Sequence, residues 1–173
     1  MSSSRTKRIA LSAVLGALSL GFLYIAAFFP SGRLGMAAAA GLFPAAAVVS
    51  CGFSAGFLCY GGTALLALIL LSDKSLALSY LLFFGLYPIL KGLIEQLRRL
   101  PLELVLKLLV FNGIFSVFLF GFSKLFFSLL PAKDLPMGLF YLIGSGIFLI
   151  YDFGVSKVLC FYRLRIDRVL RKT

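Results

Sequence analysis

Asn112, Ser116 and Lys124 interrupt a long apolar stretch at positions separated by four and then eight residues. On a helix, this spacing places all three side chains on one face. An amide, a hydroxyl and an ammonium group could together bind a polar ligand, because an asparagine side chain both donates and accepts hydrogen bonds. Two interpretations remain open. The face could line a ligand cavity, or Asn112 could bond a neighbouring helix while Lys124 anchors the membrane interface.

Lys91 and Asp152 are a second candidate pair, because both charges lie within apolar stretches, where an isolated charge is costly. Their similar predicted depth makes an intramembrane ion pair between two helices one interpretation. The other is that Lys91 extends its ammonium group to the nearer headgroups, while Asp152 bonds Ser156 or water. Glu103 and Lys107 are four residues apart, a spacing that favours a local pair on one helix.

Residues that are absent argue against several kinds of chemistry. The chain has no histidine, the side chain that most often serves as general base or transition-metal ligand. Cys51, Cys59 and Cys160 lack the spacing of a zinc site, and the chain has no glycine-rich lysine loop for ATP phosphates. We therefore predict no catalytic residue, no metal and no cofactor, and an enzyme is the least favoured class of protein.

The composition is typical of a membrane protein. Hydrophobic residues make up 61% of the chain and charged residues only 13%, whereas about a quarter of a soluble domain is charged. We predict an all-α membrane protein with one domain, residues 1–173, folded as a six-transmembrane-helix bundle. A span needs about 20 apolar residues. The predicted spans cover residues 9–29, 34–49, 53–71, 76–96, 102–130 and 137–161.

The lysine and arginine residues outside the spans predict the orientation of the bundle. One side carries ten of them: Arg5, Lys7, Arg8, Arg98, Arg99, Arg163, Arg165, Arg168, Arg171 and Lys172. The other side carries three: Arg33, Lys74 and Lys133. Because cytoplasmic connections carry the excess of basic residues, we predict that both termini are cytoplasmic. The net charge of +11 is then explained by topology and by contact with anionic membrane lipids, not by nucleic-acid binding.

This orientation defines an outer half of the bundle that contains the ligand candidates. Besides the polar face of span five, Arg33, Tyr80 and Tyr141 are predicted to lie there. The outer acids Asp73 and Asp134 each stand beside a lysine, so a cavity opening outward would be electropositive. Tyrosine side chains can stack on another ring. We therefore expect an anionic, ring-containing small molecule as the ligand.

Small residues recur every four positions in spans one and two: Ala13, Ala17 and Gly21 in the first, and Ala37, Gly41 and Ala45 in the second. This spacing lets helix backbones approach closely, which is one way in which helices associate in a bilayer. The small residues could serve packing inside the bundle or docking of a partner subunit. Span one is the best candidate for docking, because terminal helices often lie at the edge of a bundle.

Residues 8–17, which follow a basic N-terminus, read RIALSAVLGA. This opening resembles that of the substrate-binding S component of an energy-coupling factor (ECF) vitamin transporter, and it contains that family's Ala-x-x-x-Ala element as Ala13 and Ala17. The size of the chain, the six predicted spans and the cytoplasmic ends are also similar to the family. The resemblance in architecture covers the whole chain, whereas the shared sequence motif lies only in the first span.

The resemblance implies a membrane-embedded, substrate-binding subunit of an ATP-driven uptake transporter in a bacterial cell membrane. In that family the Ala-x-x-x-Ala element docks a transmembrane coupling subunit, which connects the chain to ATPase subunits. The vitamin is bound in the outer half, and the whole bundle topples to deliver it. The chain also resembles the bacterial rod-shape protein of the MreD type. The alternative is therefore a membrane scaffold or assembly protein without a small-molecule ligand.

Overall fold

The structure, a computed structural model, describes residues 2–29, 32–97, 99–121 and 137–170. The helices are α1 (Ser2–Phe28), α2 (Arg33–Cys51), α3 (Phe53–Leu70), α4 (Lys74–Ser79), α5 (Tyr87–Ile94), α6 (Leu100–Ser116) and α7 (Met137–Leu170). A π-helical turn at Tyr80–Phe84, called the wide turn below, joins α4 to α5, and a second π-helical turn, Val117–Gly121, extends α6. A 3₁₀ turn, Glu95–Leu97, follows α5. α4 and α5 are therefore the two halves of one span.

The predicted all-α bundle with six spans is confirmed, since six helices are long and apolar enough to cross a membrane by length and composition. They cover Thr6–Phe28, Arg33–Cys51, Phe53–Leu70, Lys74–Leu97, Pro101–Gly121 and Tyr141–Leu164. These bounds agree with the predicted spans to within a few residues, except that residues 122–130 of the predicted fifth span lie outside the described residues. The orientation of the bundle and its single-domain nature stay predictions.

The first three helices pack closely because small residues line their contacts. The largest buried cluster joins α1, α2, α3 and span four, and alanines provide much of it: Ala26, Ala37, Ala40, Ala64, Ala67 and Ala77. Polar side chains in this region bond to backbone carbonyls of a neighbouring helix, as apolar surroundings require. Ser19 of α1 donates to the carbonyl of Ala40 over 2.9 Å, and Thr63 of α3 donates to that of Gly16 over 3.2 Å.

Span four is interrupted by the wide turn at Tyr80–Phe84. The amide of Gly85 bonds to the carbonyl of Tyr80, five residues earlier, over 2.8 Å. In a regular α-helix the same amide would bond to Leu81, four residues earlier. The carbonyl of Leu81 instead accepts a hydrogen bond of 2.6 Å from the hydroxyl of Tyr60 on α3. A neighbouring helix thus supplies a hydrogen bond to a carbonyl at the break, as expected for an irregular turn at membrane depth.

A second helix, α2, contacts the same break at another carbonyl. Pro88 has no N–H group, so it cannot bond to the carbonyl of Phe84 four residues earlier. Gly41 of α2 lies directly against this carbonyl, and a Cβ atom at position 41 would overlap the oxygen. A glycine Cα–H group can make a weak hydrogen bond to a carbonyl at such a contact. The absence of a side chain at Gly41 therefore lets α2 and span four approach each other.

We predict that Gly41→Ala lowers the free energy of unfolding by about 1–3 kcal/mol, because the added methyl group must displace backbone and not a flexible side chain. Gly35→Ala on the same helix is the matched control, since a Cβ atom at Gly35 meets open space. Thermal unfolding of both variants in detergent measures the difference. Equal midpoints for the two variants would contradict the close approach of α2 and Phe84.

Candidate functional site

Four charged side chains from three helices form one group, here called the charge cluster: Lys91, Glu95, Lys107 and Asp152. Lys91 contacts Asp152 Oδ1 and lies 3.1 Å from Glu95 Oε1. Lys107 Nζ lies 2.9 Å from Glu95 Oε1 and 3.2 Å from Asp152 Oδ2. Each lysine therefore contacts both carboxylates, and the formal charges of the two cations and two anions cancel.

Further hydrogen bonds fix the position of Asp152 on α7. The hydroxyl of Tyr87 donates to its Oδ1 atom. Its main-chain carbonyl accepts from Lys91 Nζ over 3.1 Å and from the Ser156 hydroxyl over 3.0 Å. The structure thus brings Lys91 and Asp152 together as an ion pair. Ser156, the alternative partner that the sequence suggested for Asp152, bonds to its main-chain carbonyl and not to its carboxylate.

The members of the cluster differ in exposure. The side chains of Lys91, Lys107 and Asp152 are 1%, 9% and 14% exposed, whereas that of Glu95 is 42% exposed. The expectation that Lys107 pairs with Glu103 on its own helix is not met, because Lys107 is directed to Glu95 and Asp152. A lysine buried to this degree would be strongly destabilising without partners. The mutual contacts compensate for the loss of water around three of the four groups.

Aromatic rings cover the cluster on the side of the bundle centre. Tyr87 packs edge to face on Phe148, with ring centroids 4.9 Å apart. Phe148 in turn stacks on Phe111 at 4.6 Å, and Phe83 packs on Tyr87 at 5.4 Å. Stacked and edge-to-face pairs at such distances are favourable beyond the area they bury. The rings exclude solvent from the side of the cluster that faces the middle of the span.

Sequence reasoning did not include Tyr87, Glu95 and Lys107 in this group. One signal was available: Tyr87, Lys91 and Glu95 are spaced by four residues, which places them on one face of α5. The position of Lys107 depends on how α5 and α6 pack, and its spacing from Glu103 favoured a different partner.

Tyr80, a predicted ligand-binding residue, lies in the interior of the bundle with no exposed surface. Its hydroxyl is 3.0 Å from Ser19 Oγ. Because Ser19 donates its own hydrogen to the carbonyl of Ala40, Tyr80 is the donor in this pair. The side chain thus links span four to α1, and through Ser19 to α2.

The polar face predicted on span five is present in its described part. Asn112 donates to the carbonyl of Leu108 over 2.8 Å, and Ser116 donates to the carbonyl of Asn112 over 2.8 Å. The hydroxyl of Tyr141 lies 2.7 Å from Ser116 Oγ and is therefore the donor there, since the hydrogen of Ser116 is already used. The structure brings Ser116 and Tyr141 together across α6 and α7. Lys124 lies outside the described residues.

Arg33 lies at the end of the bundle predicted to face outward, and it pairs with Asp73. The two side chains are 2.7 Å apart and about one quarter exposed, at 28% and 22%. Asp73 also caps α4 by accepting hydrogen bonds from the amides of Ser75 and Leu76. The structure therefore places Arg33 in contact with a carboxylate that offsets its charge.

The small residues of α1 face away from the bundle. Ala13, Ala17 and Gly21 are exposed, and a Cβ atom at Gly21 would meet open space. The opposite face of the same helix is buried, as Leu15 and Leu23 show at 9% and 0% exposure. In α2, by contrast, the corresponding small residues are inside the bundle.

In the part of the chain that the structure describes, no group of three or more histidine, cysteine, aspartate or glutamate residues could hold a metal ion. Comparison of the chain with protein-family models, curated proteins and solved structures finds no match.

For the ion pair, we predict that Lys91→Ala and Asp152→Ala each lower the free energy of unfolding, because each leaves an opposite charge with fewer partners in a buried region. The double substitution should cost less than the sum of the two by about 0.5–3 kcal/mol, the usual range for residues in contact. Unfolding in detergent or bicelles gives all three values.

The control cycle combines Lys91→Ala with Asp73→Ala, which lies at the other end of span four and pairs with Arg33. This cycle should be additive. Additive costs in the Lys91 and Asp152 cycle would show that the two residues do not interact.

Proposed function

We propose that the chain is the substrate-binding subunit of an ATP-driven uptake transporter for a vitamin or a similar small molecule. It belongs in a bacterial cell membrane with both ends on the cytoplasmic side. The observation that supports this proposal most is the small-residue face of α1, which points away from the bundle. The resemblance of residues 8–17 to the opening of ECF S components gives that face a role, namely contact with a transmembrane coupling subunit.

The contrast between α1 and α2 supports docking, and not internal packing, as the role of the small residues of α1. Ala37, Gly41 and Ala45 of α2 are buried against other helices of the same chain, so their small size is explained within the bundle. Ala13 and Ala17 are exposed, so packing against the described part of the chain does not account for their small size. In a bilayer, small exposed residues favour the close approach of another helix. A coupling subunit that packs on this face would link the chain to ATPase subunits.

The substrate is proposed to bind in the outer half, between α6 and α7. Ser116 and Tyr141 meet there, and the side-chain amide group of Asn112 donates to its own helix. No hydrogen bond from the described residues reaches the side-chain carbonyl of Asn112, which leaves an acceptor for a ligand. The sequence predicts Lys124 on the same side of the membrane, whereas the charge of Arg33 is offset by Asp73. An anionic ring compound is therefore the proposed class of substrate, with Lys124 as its cationic partner.

The second candidate is a membrane scaffold of the MreD type that binds other membrane proteins and no small molecule. One observation favours it: Tyr80, Ser116 and Tyr141 bond to partners within the bundle, as they would in a protein that only needs to be rigid. In both candidates a partner protein would contact the exposed face of α1. The presence or absence of a bound small molecule therefore distinguishes them.

If α1 contacts a coupling subunit through its small residues, a large side chain at these positions should prevent the contact. Ala13→Trp or Ala17→Trp should abolish co-purification of coupling and ATPase subunits from native membranes, because close backbone approach tolerates no large side chain. Leu58→Trp is the control, since Leu58 is 63% exposed on α3 and lies on a different helix. All three variants should stay folded. Retained partners in both alanine variants, or loss of folding in them alone, would contradict docking through this face.

The substrate site predicts a bound small molecule. Protein purified from native membranes should carry an anionic compound that native mass spectrometry detects. Asn112→Leu and Lys124→Met should each remove it while the bundle stays folded, because each deletes a polar contact in apolar surroundings. Ser156→Ala, at the predicted inner side, should retain it. A folded protein that never carries such a compound would favour the scaffold.

A further inference from the structure

The charge cluster is asymmetric in how it connects its three helices. Span four provides Lys91 on α5 and Glu95 directly after it, α6 provides Lys107, and α7 provides Asp152. Among the charged contacts, Glu95 joins α5 directly to α6, because its carboxylate contacts Lys107 over 2.9 Å. Asp152 makes the charged contacts of α7 with the other two, because both of its ionic partners lie on them, and Phe148 adds ring contacts with Tyr87 and Phe111. Among the described residues, α7 has no other ionic contact.

The apolar contacts of α7 are confined to one narrow face. Phe148 and Val155 are its buried hydrophobic residues, each 2% exposed. Asp152 lies between them along the same face. Most other large residues of the helix are exposed, including Ile150 at 76% and Phe153 at 64%. Tyr151 on this face packs its ring against span four. The inner part of α7 is therefore attached through ring contacts and, as its charged contact among the described residues, through the carboxylate of Asp152.

We propose that the charge cluster is a releasable latch: the inner part of α7 can separate from α5 and α6 while those two helices stay joined. This inference goes beyond the proposed function and does not depend on the identity of a ligand or partner. If α7 moves away, Lys91 and Lys107 keep their shared contact with Glu95. Glu95 is partly exposed and lies near the predicted inner end of span four, where we expect water to reach this remaining contact.

The closed state is the resting state of this latch. Separation leaves two lysines with one carboxylate, and it leaves Asp152 without its ionic partners. Both changes are unfavourable in apolar surroundings. Neutral hydrogen bonds, which are weaker than charged ones, also hold α7 on both sides of Asp152. Tyr141 bonds to Ser116 in the outer part, and Tyr162, nearer the inner end than Asp152, bonds to Ser50 of α2 over 3.0 Å.

Distances between spin labels test the latch in the full chain. Cysteines at Leu93, Leu104 and Val158 place labels at exposed positions near the inner ends of α5, α6 and α7, since these side chains are 40%, 48% and 46% exposed. They are combined in pairs after the three native cysteines have been replaced by alanine. Pulsed electron spin resonance in lipid nanodiscs should give one narrow distance peak for each pair.

The substitution Asp152→Asn should remove the narrow peak for the pairs 93/158 and 104/158, because only α7 is released. The 93/104 peak should persist, since Glu95 still joins α5 and α6. Persistence of all three peaks would overturn the proposal, and so would loss of all three. As a control, Asp73→Asn removes a carboxylate at the opposite end of span four and should leave every peak intact.

A second variant keeps the test decisive if Asp152→Asn does not fold. Lys107→Gln removes the only member of the cluster on α6, so the peaks of the pairs 93/104 and 104/158 should be lost. The 93/158 peak should persist, because Lys91 still contacts Asp152. Loss of the 93/158 peak in folded Lys107→Gln protein would show that the four charges act as one indivisible unit, which contradicts the latch.

Discussion

Four charged groups can coexist among apolar helices here because each cation contacts two anions. Lys91 and Lys107 both contact Glu95 and Asp152, so that no charge in the cluster lacks a compensating neighbour. The positions of α5, α6 and α7 are tied to this arrangement, since each helix contributes at least one of the four side chains. A shift of any one helix along its axis would separate a buried charge from its partners, which is costly in a membrane.

The same requirement for partners explains the irregular middle of span four. The wide turn at Tyr80–Phe84 removes a regular backbone bond, and Pro88 removes another. Tyr60 supplies a hydrogen bond from α3, and Gly41 allows α2 to cover the second carbonyl. The break thus holds the first three helices against span four. Just beyond the break, the hydroxyl of Tyr87 on the same span donates a hydrogen bond to Asp152. Span four therefore contacts both the first three helices and the charge cluster.

Much of this fold follows from the sequence, because long apolar runs separated by basic residues leave few alternatives to membrane spans. The opposite charges and similar depth of Lys91 and Asp152 also made their contact foreseeable. Glu95 and Lys107 were harder, because their pairing depends on the rotation of α6 about its own axis, which an almost uniformly apolar helix does not reveal. Tyr80 was predicted to face a ligand. The burial of Tyr80 against Ser19 depends on how α1 packs on span four, and no local sequence pattern predicts that packing.

The central claim is that Asp152 contacts both lysines while the protein is in a bilayer. Solid-state nuclear magnetic resonance measures it most directly, through the dipolar coupling between isotope-labelled lysine side-chain nitrogen and aspartate carboxyl carbon. The account predicts a strong coupling in the wild-type protein that decreases in folded Asp152→Asn protein, where the remaining signal comes from other aspartates. A coupling that is the same in both proteins would contradict the account.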